Sequence, residues 1–430
     1  MYLQKKLFTL LVAWESLKLT KKFPLDPKKI KKMQAQKLKK VMKSAWKFDF
    51  YRQRFLAAGL KEGEMITPEM LHTLPPLTKA EYRDFVNAEV AKKPGKYKHW
   101  CQDETSGSTG MPLIVYSTQR ERAVNVAKWL RVLAVNGHRA LNGQVLCVIL
   151  PQRIPKRKPF FQKLGLYKRE TISQLTPIPD MVETFNKVRP TLFYANKSYY
   201  VMMALYATKH HVPLFRPKAY ICGSETMDDI SRALIFDTFG REGFAEHYGC
   251  TETGNMAFTK TGDPDRLYLC HDTNIFTVLD DQGQPTDDGR LLVTSLFQTG
   301  FPIINYAIGD VVESIVEADG LRYLHKIKGR CDSVIKLPGE DMISLYYFYI
   351  LMEKRRELLQ FKVIQKELDH FHFLLVKKPD NQTKNSEIEA IITDELRETA
   401  RNGELTVTFE WVEEIPPEKN GKIRIVVAKE

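Results

Sequence analysis

Apolar positions change rhythm along the chain, and each rhythm predicts an element. Val145 to Leu150 and Ala219 to Cys222 are short continuous apolar runs, the pattern of strands buried on both faces. Residues 198–208, rich in Tyr and Met, are predicted as a helix between them. Strands alternating with helices over 113–220 predict α/β architecture with largely parallel sheets. Residues 283–289, with Pro285, Asp287 and Asp288, predict a turn, after which Leu291 to Thr294 resumes a β pattern. Beyond a boundary near 329–332, the pattern predicts a helix over 345–359, strands over 361–365 and 371–376, a helix over 387–399 and a strand over 406–411. That stretch reads as a small α+β unit. At the amino terminus Leu3, Leu7, Leu10, Leu11, Trp14 and Leu17 fit a helical stripe.

Composition sets the scale: 430 residues, 43% of them hydrophobic, provide a large core for more than one domain. No apolar run is long enough for a membrane-spanning helix. The run Leu7 to Trp14 is followed by Glu15 and Lys18 without a small-residue cleavage pattern, so it is read as a helix, not a secretory signal. Charge is uneven. Residues 1–50 hold fourteen lysines, no arginine and three acids, a net +11 out of the chain's +13. The chain therefore divides into a basic helical segment over 1–50, a body over 51–329 and a carboxy-terminal domain over 330–430. The basic segment is open to three readings: a solvated lysine face, an arm held against an anionic membrane or acidic partner, or a leucine stripe packed on the body. Lacking arginine and any recognisable module, it gives no reason to expect nucleic acid as a partner. Six cysteines at 101, 147, 222, 250, 270 and 331 show no paired spacing, which predicts reduced thiols and a cytoplasmic protein.

Candidate chemistry centres on Thr105-Ser106-Gly107-Ser108-Thr109-Gly110-Met111-Pro112. Gly-rich backbone approaches a ligand closely, and its N–H groups with nearby hydroxyls make an anion cradle. The alternative is a Ser/Gly-rich surface turn. Downstream come Gly223-Ser224-Glu225, Tyr248-Gly249-Cys250-Thr251-Glu252, Tyr306 with Gly309-Asp310, Gly329-Arg330-Cys331-Asp332 and Gly421-Lys422. Cys250 and Cys270, with His247 and His271, form an alternative zinc set. Adjacent Cys270 and His271 on a strand would point to opposite faces, which weighs against it.

In this order the motifs resemble those of the adenylate-forming enzymes, the superfamily of acyl-CoA synthetases, peptide-synthetase adenylation domains and luciferases. Phe50-Tyr51, Ala58-Gly59-Leu60 and Leu74-Pro75-Pro76-Leu77-Thr78-Lys79 are similar to the amino-terminal part of phenylacetate-CoA ligases and their capsule-biosynthesis relatives. The resemblance covers residues 35–430. It implies an α/β fold, with a large multi-sheet adenylation domain followed by a small mobile α+β domain. It implies ATP-dependent activation of a carboxylic acid to an acyl-adenylate with release of pyrophosphate, then transfer to a thiol, CoA, or alternatively to an amine in surface polysaccharide biosynthesis. A non-enzymatic nucleotide-binding module is the reading from another class; Glu252, Asp310 and Lys422, all present, weigh against it.

Roles follow from the resemblance residue by residue. Thr105, Ser106, Gly107, Ser108, Thr109 and Gly110 would hold phosphates, with Met111 standing where the family often has lysine. Gly223 and Ser224 would line the adenine side, Glu225 touch its amino group, and Tyr248 offer it a ring face. Glu252 would ligate Mg²⁺, Thr251 approach the α-phosphate, Asp310 accept the ribose hydroxyls, and Arg330 donate to ribose or phosphate. Asp332 would be the hinge, and Lys422 would reach the α-phosphate and the carboxylate. The residues alone, not the resemblance, offer Tyr194, Tyr199, Tyr200, Met203 and His247 as candidate acyl-pocket walls or core residues, and Lys197 as a candidate partner for a polar group on the acid.

Overall fold

The computed structural model describes residues 2–21, 23–105, 113–138, 141, 143–149, 154–155, 158, 160–317, 321–330, 334–338, 342–399, 405–418 and 423–428. Ser106, Gly107, Ser108, Thr109, Gly110, Met111, Cys331, Asp332, Gly421 and Lys422 lie outside them. The chain divides into two units. One is Met1–Asn136, His247–Thr259 and Asp265–Ile327; the other is Gly137–Glu246, Lys260–Pro264 and Lys328–Glu430.

In the first unit, capping fixes where two helices begin. Thr78 and Glu81 form a reciprocal capping box at Lys79–Lys92, and Thr118 with Glu121 does the same at Gln119–Val135. The second box sets a helical phase in which Val124, Ala127, Lys128, Arg131 and Val132 are buried. The helix Pro27–Ala45 buries Ile30, Leu38, Val41 and Met42 and starts at Asp26, whose carboxylate accepts from Lys28 and Lys29. Strands Asn274–Leu279, Asp288–Ser295 and Tyr306–Val316 pair antiparallel in sequence order. Phe244–Cys250 and Gly254–Lys260 form a hairpin. Gly289, expected in the preceding turn, opens a strand position opposite Val312.

The second unit contains the parallel sheet expected from the apolar runs. Lys168–Ser173, Gln144–Ile149, Leu192–Asn196 and Ala219–Gly223 lie side by side in that order, each pair parallel. The helix predicted over 198–208 spans Lys197–His210. Towards the carboxy terminus a four-stranded sheet runs in the order Thr406–Trp411, His370–Lys377, Leu358–Glu367, Val426–Val427, with helices Leu345–Glu353 and Asn385–Thr399. The first of these helices ends six residues before the predicted limit. Leu358 and Leu359, which continue a helical pattern on paper, instead begin the strand paired with His370–Lys377.

Candidate active site

Strand Phe244–Cys250 turns back into Gly254–Lys260 through Thr251, Glu252 and Thr253, and two glycines permit the turn. A Cβ on Gly249 would lie 2.5 Å from the Gly254 carbonyl oxygen. One on Gly254, whose φ is +69°, would lie 2.4 Å from Asn125 Oδ1 on the helix Gln119–Val135. The register shifts between Tyr248 and Gly249, a bulge of the kind that re-aims a side chain. Thr251 is left exposed at the tip, while Glu252 and Thr253 are buried.

Two hydrogen bonds tie this hairpin to strand Tyr306–Val316. The Tyr306 hydroxyl donates to Glu252 Oε1 at 2.8 Å, and the Tyr248 hydroxyl donates to Asp310 Oδ2. Two separate sequence motifs thus meet in one constellation. The hairpin backbone is also held, by Gln298 Nε2 on the Glu252 carbonyl at 2.8 Å and by Lys128 Nζ on the Thr253 carbonyl at 2.6 Å. Thr105 closes the base of the Gly-rich loop: its N–H donates to the Leu113 carbonyl at 3.0 Å, and its hydroxyl accepts from the Leu113 N–H at 2.9 Å.

Lys128, Gln298 and the anchoring role of Tyr306 escaped the sequence reading. One signal was available for Lys128, since the capping box puts it on the buried stripe, where a cation needs partners. Burial holds its ammonium down to about 8, with Arg131 adding to the effect. Between about pH 8 and the ordinary lysine value of about 10.4, the unfolded chain binds a proton there that the folded chain has released, so stability rises with pH across that window. The rise is on the order of 3 kcal/mol. Urea unfolding midpoints at pH 7.5 and 10 should show it in the native protein and not in Lys128→Met. Parallel profiles would mean that Lys128 keeps its ordinary proton affinity.

In the second unit, Gly223-Ser224-Glu225 leaves the carboxyl end of a parallel strand, where open α/β sheets bind ligands. Glu225 Oε2 accepts from the Ser198 N–H at 2.8 Å and the Ser198 hydroxyl at 2.7 Å, holding the start of Lys197–His210. Ser198 Oγ accepts in turn from the Ile423 N–H at 3.0 Å. Arg330 ends the strand Arg322–Arg330 and is half-buried.

Several expected acyl-pocket residues are elsewhere engaged. Tyr200 and Met203 are fully buried in a core cluster, and the Tyr200 hydroxyl bonds the carbonyls of Phe193 and Ile221 at 3.0 Å each. The Tyr199 hydroxyl bonds the Gln174 carbonyl. Lys197, expected to face the acid, is buried against Asp228 at 2.7 Å. Burial lowers its proton affinity and Asp228 more than offsets this. Tyr194 remains half-buried, and His247 packs edge-on to the Trp129 ring at 5.0 Å.

The four side chains of the zinc alternative, Cys250, Cys270, His247 and His271, each meet other partners. Cys270 and His271, expected on a strand, lie past the end of Asp263–Leu269 in a turn, and His271 Nε2 hydrogen-bonds the Arg322 carbonyl. Burial pushes the Cys250 thiol up to about 12, helped by the Glu252 carboxylate, and raises the Cys270 thiol too. Among the described residues no group of three or more His, Cys, Asp or Glu comes together to hold a metal ion.

This is the fold of the adenylate-forming ligases. The chain is similar to a 2-hydroxyisobutyryl-CoA ligase in complex with R3-HIB-AMP, with a TM-score of 0.71 and 16% identity, over 93% of this chain and 89% of that one. It is also similar to the amide bond synthetase McbA from Marinactinospora thermotolerans, with a TM-score of 0.50 and 15% identity, over 73% and 66%. Within that class the sequence resembles a capsule-biosynthesis branch: residues 338–429 match the CapK C-terminal domain family. Over 407 aligned residues, 88% of this chain and 84% of the relative, it is 23% identical to Protein CapK of Staphylococcus aureus.

Proposed function

We propose that this chain activates a carboxylic acid with ATP and passes the acyl group to a thiol, CoA. The observation that carries the reading is the pairing of Tyr248 with Asp310 and Glu252 with Tyr306, which unites the hairpin and strand motifs on one scaffold. A free carboxylate is a poor acyl donor, because its oxygen would have to leave as oxide. Attack of that oxygen on the α-phosphorus of ATP breaks the bond to the β-phosphate, releases pyrophosphate and leaves a carbonyl bearing AMP. Thiolate attack at that carbonyl then expels AMP.

Glu252 suits Mg²⁺ chemically. A hard carboxylate oxygen is the protein ligand that ion takes, with the triphosphate and water supplying the others. When bound, Mg²⁺ would neutralise phosphate charge as pyrophosphate leaves. Thr251, exposed beside Glu252, has the hydroxyl for the α-phosphate, and Tyr248 the ring for adenine. Asp310 accepts ribose hydroxyls while its Oδ2 is oriented by Tyr248, and Arg330 adds a donor to ribose or phosphate. Gly223, Ser224 and Glu225 serve the adenine side, with Glu225 fixing Ser198 at the same time. Lys422 supplies a cation to the α-phosphate in the first half-reaction, the body ending at 329 and a mobile carboxy-terminal domain carrying that lysine.

Similarity to the amide bond synthetase McbA supports a second acceptor, an amine. Pyrophosphate release screened over carboxylic acids, followed by mass analysis of products formed with CoA or with amines, tests both. No release with any acid would defeat the activation step. Asp310→Ala should weaken ATP binding by at least tenfold, since each charge-assisted hydrogen bond lost is worth about 1.5–3 kcal/mol. Unchanged affinity in calorimetry would remove Asp310 from the ribose site.

A further inference from the structure

The helix Tyr2–Lys21 has apolar side chains around its circumference and uses only part of it. It packs against Gln119–Val135, with Glu15 and Leu19 buried and Phe8, Leu11 and Val12 half-buried; Arg120 Nε lies 3.9 Å from Glu15 Oε1. Leu11 of the predicted stripe is on this packed side, and four others point the other way. Leu7, Leu10, Trp14 and Leu17 are 59%, 67%, 66% and 60% exposed. Spacings of three, four and three residues put them on one line down the helix. A single exposed leucine is ordinary, but an aligned row of four large apolar side chains marks a surface that something covers.

What covers it is indicated by charge. Lys18 and Lys21 are exposed at the end of the same helix, and Pro27–Ala45 turns Lys28, Lys31, Lys32, Lys39, Lys40 and Lys43 to solvent. Of the three acids in residues 1–50, Glu15 is buried and Asp26 is engaged as a helix cap and with Lys29. A second copy of the chain would bring one lysine face against another, which like-charge repulsion opposes. An anionic surface complements it, and Trp14 is suited to the boundary between headgroup and acyl chain. No helix among the described residues is long and apolar enough to cross a bilayer. A helix of this kind that docks on a bilayer lies in the plane of its surface.

We propose that Leu7, Leu10, Trp14 and Leu17, with the neighbouring lysines, dock the protein on an anionic bilayer while the opposite face of the helix stays on Gln119–Val135. The test is co-sedimentation of the full chain with vesicles of phosphatidylglycerol and phosphatidylcholine, against phosphatidylcholine alone. Partitioning should favour the anionic vesicles by about tenfold or more at low salt and fall as salt rises. Leu10→Ser/Trp14→Ser should lower it by about tenfold with the melting temperature unchanged, since both side chains are already in water. Leu7→Ser/Leu17→Ser repeats the test on independent positions. No partitioning at low salt overturns the proposal, and so does partitioning that neither variant weakens. A dimer in analytical ultracentrifugation that both variants dissolve would assign the stripe to a second copy and overturn it equally.

Discussion

Glu252→Gln is expected to lower pyrophosphate release by about 10²–10³-fold, the usual loss when one preorganised electrostatic group is removed from a reacting centre. The substitution keeps size and keeps an oxygen to accept from Tyr306, whose hydroxyl lies 2.8 Å from Glu252 Oε1. Gln298 and Lys128 hold the hairpin through backbone carbonyls, so their bonds are indifferent to the change. The variant should therefore fold as before and lack only the negative charge. A charge that serves Mg²⁺ gives a second readout: the Mg²⁺ concentration needed for half-maximal rate should rise. Calorimetry of ATP binding with and without Mg²⁺ reads the same effect without knowledge of the acid. An unchanged rate and an unchanged Mg²⁺ requirement would reduce Glu252 to a structural hairpin residue. Tyr306→Phe should produce a smaller loss, because it removes the orienting hydrogen bond and leaves the carboxylate.

Local signals carried much of this into the sequence. Continuous apolar runs predicted Gln144–Ile149 and Ala219–Gly223, because a strand covered on both faces has no polar face to alternate with. The order of motifs pointed to Tyr248, Glu252, Tyr306 and Asp310, although which of them hydrogen-bond was not legible. Tyr200 and Met203 were ambiguous for a physical reason: an acyl pocket and a core ask for the same side chains, and only the carbonyls of Phe193 and Ile221 around the Tyr200 hydroxyl decide for core. The pairing of Lys197 is not legible in the sequence, because its partner Asp228 lies 31 residues away and is recognisable locally only as a helix cap. The amino-terminal stripe was seen, but its direction was not. On a helix apolar all round, the packed face is chosen by the partner helix and not by the pattern.

The helix Gln119–Val135 sends a second cation inward one turn beyond Lys128, and that residue carries the largest expected effect on stability. Arg131 Nη1 lies 2.8 Å from Asp272 Oδ2, with both side chains almost wholly out of solvent. Lys37 Nζ donates to the Asp272 carbonyl at 2.6 Å, and Gln34 Nε2 to the carbonyls of His271 and Asn274, so Pro27–Ala45 grips the same turn. Burial raises the Asp272 carboxyl, and the Arg131 guanidinium more than offsets this, holding it below the usual range. Its contribution to stability is thus present above the unfolded-state carboxyl value of about 3.9 and lost as pH falls through the lower folded value. Arg131→Met should cost about 3–5 kcal/mol near neutrality, because it strands a buried carboxylate without the cation that compensates it. The deficit should shrink as pH falls from neutrality towards about 4, because burial without the Arg131 cation raises the Asp272 carboxyl in the variant, which takes up a proton and ceases to be a buried charge. Arg131→Met/Asp272→Leu should recover most of the loss, since an apolar pair of similar volume leaves no charge to desolvate. Urea unfolding of the native protein, both single variants and the double variant measures the coupling directly. If Arg131→Met costs no more than a surface substitution, about 0.5 kcal/mol, the pair does not hold the turn beneath the Glu252 hairpin.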